Sequence, residues 1–134
     1  MSAPLPFTEL PHYARLLGIK LTKISPEGVE AELEVREDFK NNAGMMHGGA
    51  IMGFADHIGG AASHVHLKPG QRTTTLESKT NFFSGIPTGG IARAVATPLH
   101  IGRSTIVVET RIMRPDGKLA AIVTQTQMVL EAKS

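Results

Sequence analysis

The hydrophobic period of this chain changes once and then changes back, and that switch limits the possible folds more than any other feature. Val29, Ala31, Leu33 and Val35 alternate with Glu30, Glu32, Glu34 and Arg36. This is the two-residue period of a strand with one face buried and the other in water. Beyond a loop over 37–49, rich in Asn and Gly, the period becomes helical. Ile51, Phe54, Ile58, Ala61 and Val65 recur every three or four residues and so share one face. Pro69-Gly70 ends that helix. Four strand-like runs follow: Arg72 to Phe83, Ile91 to Ile101, Ser104 to Arg114 and Leu119 to Leu130. One long helix set among antiparallel strands is an α+β arrangement, with a single sheet wrapped on a central helix.

The remaining segments fit that plan. Thr8 to Leu17 forms a short helix closed by Gly18, with Pro11 tolerated in its first turn. A weak strand runs from Gly18 to Ser25, and Pro26-Glu27-Gly28 turns it into the alternating segment. Pro115-Asp116-Gly117 makes a short hairpin turn, and Pro98 implies a sheet edge or a bulge. At 134 residues there is room for one domain, spanning 1–134, and for no second.

Composition narrows the function classes. The absence of cysteine excludes a disulfide scaffold, a zinc–thiolate site, an iron–sulfur cluster and a thiol nucleophile. The net charge of +2 is uneven: residues 1–40 carry five basic and seven acidic groups, and residues 41–134 carry nine and five. That asymmetry permits an anionic ligand. It does not make the dense basic stripe with stacking aromatics that nucleic acid calls for, so no nucleic-acid partner is expected. No apolar run approaches the roughly 18 residues of a membrane span, and MSAPLPFTEL lacks the layout of a signal peptide. The expectation is a cytoplasmic protein with no membrane partner.

Chemistry concentrates in NNAGMMHGGAIMGFAD, residues 41–56. Opposite the apolar face of the long helix lie Gly49, Gly53, Asp56, Gly60 and Ser63, a stripe of small residues carrying one carboxylate. Each helical glycine costs about 1 kcal/mol relative to alanine. Close approach of a ligand, of a second copy of the helix or of the protein's own sheet accounts for such a stripe. Gly48 and Gly49 open the helix, where unpaired amides can hold the oxygen of a polarised carbonyl. Eight residues separate Gly48 from Asp56, about 12 Å at the helical rise, so one carbonyl cannot touch both. If they serve one reaction centre, they come from two antiparallel copies of the helix, and a homodimer with two equivalent sites follows.

Asn41, Gly44, His47-Gly48-Gly49 and Asp56 resemble the hot-dog-fold acyl-CoA thioesterases of the PaaI-like branch, in the 4-hydroxybenzoyl-CoA thioesterase superfamily. The strand order and the tail Gly117-Lys118-Leu119-Ala120-Ala121 are similar too, so the likeness covers about 15–130. It implies hydrolysis of an aryl or medium-chain acyl-CoA to the free acid and CoA. No cofactor is implied, CoA being part of the substrate, and the assembly would be a homodimer or a dimer of dimers. In that reading Asp56 is base or nucleophile and the Gly48 amide polarises the carbonyl. Asn41 and His47 orient water or substrate from the partner chain, and Thr74 or Thr75, in the run Thr73 to Thr75, positions water. Gly102, Arg103 and Ser104 resemble the turn that touches pantetheine or phosphates, with Arg93 a further candidate. Thiolate departs near neutral pH without a strong acid, because a thiol has a pKa near 8.5.

Other readings are weighed against the same residues. His47 can serve merely as a helix cap. The six histidines show no zinc-binding spacing, and no metal is expected. A hot-dog dehydratase or hydratase would need a basic histidine beside the carboxylate, whereas His57 projects about 100° away from Asp56 around the helix. A third reading is an acyl-CoA-binding module without turnover.

Overall fold

The structure, a computed structural model, describes residues 10–132. In chain order it contains α1 (His12–Leu17), β1 (Lys20–Ser25), β2 (Gly28–Glu34), a 3₁₀ turn (Glu37–Phe39), α2 (Gly48–His64), β3 (Arg72–Phe82), β4 (Ile91–Ile101), β5 (Thr105–Met113) and β6 (Leu119–Leu130). The six strands form one antiparallel sheet in the order β1-β2-β4-β5-β6-β3. Because β3 follows α2 and crosses to the far side of the sheet, it becomes an edge strand next to the C-terminal one.

The helix lies close to the sheet because both surfaces are small. The inner positions of β4 are all alanine, Ala92, Ala94 and Ala96, each at most 1% exposed. From α2, Phe54 and Ile58 are fully buried against the sheet, each contributing about 1.5–3 kcal/mol relative to exposure. Gly59 makes the tightest approach: a Cβ there would overlap the Gln125 side chain of β6, lying only 2.9 Å from Nε2.

Several expectations shift by a turn or less. Pro11 is the N-cap of α1 rather than part of its first turn, and Gly18 closes that helix in the left-handed conformation at φ 81°. Thr8 and Glu9 lie outside the described residues. Helix α2 ends at His64, so Val65 caps the helix and leaves the apolar face to residues 51–61. Pro98 sits at a bulge in β4, past Ala96 where pairing with β2 ends, so its missing N–H is not needed there. Ser63 does not belong to the open stripe: it is buried, and its hydroxyl donates to the Gly59 carbonyl. Gly53 is covered by this chain's own α1, with Tyr13 Oη and Leu17 Cδ1 at 3.2 and 3.4 Å from a Cβ built there. No described helix is long and apolar enough to cross a membrane.

Candidate active site

The residues before α2 set its N-terminus. Asn41 Oδ1 accepts hydrogen bonds from the amides of Ala43 and Met45, at 2.8 and 3.1 Å, which folds the loop back on itself. Met46 donates its amide to Ile86 and His47 donates to Phe39, pinning the loop at both sides. His47 is the N-cap: its Nδ1 accepts from the Gly49 amide at 2.8 Å. An accepting Nδ1 places the proton of a neutral ring on Nε2. The carbonyl of His47 accepts from Ala50 and Ile51. Among the described residues the Gly48 amide is thus the one in the first turn left without an acceptor.

Two clefts flank the helix. One, of about 410 Å³, lies at its N-terminus and is bordered by Asn41, Met45, Gly48, Phe82 and Phe83. The Phe82 ring packs over Gly48, 3.2 Å from a Cβ built there. The other, of about 600 Å³, lies between the second half of α2 and the start of β3, and is bordered by Asp56, His57, Gly60, Thr75 and Gln127. Asp56 is exposed within it. Gly48 opens the helix, and it and Asp56 belong to different clefts of the chain.

The β3 register assigns the three threonines. Thr73 pairs with Val129 and Thr75 with Gln127, both buried partners on the helix side of the sheet. Thr74 pairs with Met128, which faces the other way and is 41% exposed. All three border the Asp56 cleft, but only Thr73 and Thr75 project on the side of the helix. Gln127 Nε2 donates to Thr75 Oγ1 at 2.8 Å.

The Gly102-Arg103-Ser104 turn joins β4 to β5, and its Ser104 carbonyl accepts from the Val129 amide. It therefore stands at the end of the sheet that carries the Asp56 cleft, with Arg103 exposed. Arg93 sits near the opposite end of β4 and ion-pairs with Glu32 at 3.8 Å; it borders neither cleft.

His57 lies about 100° around the helix from Asp56, yet both border one cleft because β3 closes over the two adjacent rows. Burial lowers the His57 pKa from its ordinary value, with the neighbouring Asp56 carboxylate opposing, so the ring is neutral at neutral pH. Its buried Nε2 has no hydrogen-bond partner among the described residues. Gln127 was not anticipated either. Its signal was present: Gln125 and Gln127 interrupt the inward run of β6 between Val123 and Val129. No described group of three His, Asp or Glu side chains could hold a metal ion.

A single antiparallel sheet around one long helix in this strand order is the hot-dog fold. The residue pattern of the thioesterase superfamily matches residues 43–121, more than half of the sequence, and the chain belongs to that family. Esterase PA1618 of Pseudomonas aeruginosa is 32% identical over 116 residues, covering 86% of this chain and 79% of its own length. A crystal structure of a mutant of it superposes with a TM-score of 0.86 at 29% identity, over 94% of this chain and 91% of that one. The 1,4-dihydroxy-2-naphthoyl-CoA hydrolase of Escherichia coli is 29% identical over 114 residues, 85% of this chain and 83% of its own. Thioesterase HI1161 of Haemophilus influenzae superposes with a TM-score of 0.85 at 25% identity, over 91% of this chain and 85% of that one. The chain is an enzyme of thioester hydrolysis.

Proposed function

We propose that the chain hydrolyses aryl or medium-chain acyl-CoA thioesters in sites shared between two copies, Asp56 of one acting with the Gly48 amide of the other. The observation that carries this reading is the division of the two groups between separate clefts, one at the N-terminus of α2 and one beside its second half. A reacting carbonyl needs both within about 3 Å. The open edge of β3 supports a two-fold partner: it is an eleven-residue strand with Leu76 and Phe82 more than half exposed, and unpaired edges of that length invite antiparallel pairing. A naphthoyl-CoA hydrolase among the relatives and the apolar cleft at Gly48 support an uncharged acyl group.

In this reading Asp56 is a general base. It takes a proton from a water whose oxygen adds to the thioester carbon, while the carbonyl oxygen gathers charge against the Gly48 amide. The carbon–sulfur bond then breaks and CoA leaves as thiolate. Asn41 donates through Nδ2, its Oδ1 being committed to the loop, and His47 donates through Nε2. Arg103 meets the CoA phosphates from the neighbouring turn.

Thiol release is measured over a panel of acyl-CoAs for the native chain and Asp56→Asn. The variant is expected to lose turnover by about a hundredfold or more while still binding CoA; unaffected hydrolysis refutes the assignment. Mixing Asp56→Asn with Asn41→Ala and allowing exchange tests the shared site, because random pairing leaves about a quarter of sites intact. No recovery on mixing rejects it.

A further inference from the structure

The inner face of β6 carries two amides where the strand pattern calls for apolar side chains. Gln125 is fully buried and Gln127 is 2% exposed, between Val123 and Val129. Buried amides are costly unless they are bonded, and Gln127 has a definite partner. It faces Thr75 directly across the β6–β3 ladder, and its Nε2 donates to Thr75 Oγ1 at 2.8 Å. Both residues border the cleft that contains Asp56.

The direction of that bond matters. A threonine hydroxyl has one hydrogen and two acceptor sites. An amide N–H fills one acceptor site and offers nothing for the hydroxyl to donate to in return. The Thr75 hydrogen must therefore point elsewhere, and Thr75, which is exposed, has the cleft in front of it. Thr73 pairs with an apolar side chain, and Thr74 lies on the other side of the sheet; among the described residues no side-chain hydrogen bond orients either one.

We propose that Gln127 is a positioning residue that, through its bond to Thr75 Oγ1, fixes the Thr75 hydroxyl as a hydrogen-bond donor into the Asp56 cleft. There Thr75 holds the oxygen of the attacking water while Asp56 takes one of that water's protons. This rests on the hydrolytic reading above. It assigns the orienting role to Thr75 rather than Thr74, and it makes a buried core amide part of the machinery.

A kinetic double-mutant cycle tests it, with kcat and KM measured on the best acyl-CoA of the panel and folding checked by thermal unfolding. Thr75→Val is expected to lower kcat about tenfold or more with KM within about threefold, and Thr75→Ser to retain most of the native kcat. Gln127→Met is expected to lower kcat about three- to tenfold when Thr75 is present and to have no further effect on Thr75→Val. A packing role would instead give the same loss in both backgrounds, and that result overturns the proposal, as does native kcat in Thr75→Val. If Gln127→Met does not fold, Gln127→Asn serves in the same cycle, since it keeps an amide but is too short to reach Thr75. Full turnover by Asp56→Asn, read in the same assay, defeats the hydrolytic reading itself; loss with Asp56→Asn but additivity in the cycle defeats only the role of Gln127.

Discussion

Replacing Gly59 by alanine sets two opposing effects against each other. Within α2, alanine is favoured over glycine by about 1 kcal/mol, so on helix propensity alone the variant gains stability. The structure reverses the sign. The new Cβ would overlap the Gln125 side chain, which is fully buried and cannot swing into water. Overpacking of a dense core costs about 1–3 kcal/mol, and a side chain with no escape falls at the upper end, leaving a net loss of about 2 kcal/mol. A domain of this size has an unfolding entropy of roughly 0.28 kcal/mol/K, so Tm drops by about 7 °C. The assay is thermal and urea unfolding of the native chain, Gly59→Ala, Gln125→Ala and the double variant. With Gln125 truncated, the added methyl group meets open space and the propensity gain returns, so Gly59→Ala should stabilise the Gln125→Ala background. A stabilising Gly59→Ala in the native background, or an equal effect in both, would show that α2 and β6 are not in contact at this point.

Two further outcomes are expected. Asn41→Asp keeps the oxygen that accepts from Ala43 and Met45 but removes the Nδ2 donor. It should leave Tm within about 1 °C while lowering kcat, whereas Asn41→Ala should lower both, the loop bonds being worth about 1 kcal/mol; equal Tm losses would place no weight on the loop bonds. Burial depresses the His57 pKa, so the unfolded chain takes up this proton first as pH falls. Its contribution is fully present above the ordinary histidine value and is lost as pH drops through the folded one. Urea unfolding from pH 7.5 to 5 should therefore show a shallower decline for His57→Gln than for the native chain, and identical slopes would contradict the burial of the ring.

Much of the site was legible because it is local. The loop from Asn41 to His47 and the first turn of α2 are consecutive residues, so the unpaired glycine amide and its spacing to Asp56 follow from helix geometry alone. The Asp56 wall was less legible because it is assembled from segments far apart in sequence. Gln127 meets Thr75 across 52 residues, and His57 enters the cleft only because β3 covers two rows of the helix at once. Ser63 and Gly53 share the small-residue stripe by angle, yet Ser63 is buried and Gly53 is covered by α1. A helical wheel gives angles, but the depth to which each row is covered is set by what packs on it, as α1 does on Gly53.

By itself the sequence determined the strand and helix order, since side-chain period and turn residues act over a few bonds. It determined as well that Gly48 and Asp56 cannot meet within one chain, because a helix has a fixed rise. Tertiary structure alone decided that β3 pairs with β6 and leaves its other edge open, and that the threonine facing Gln127 is Thr75. Strand pairing and register depend on long-range burial, where a shift of one residue turns every side chain to the opposite face.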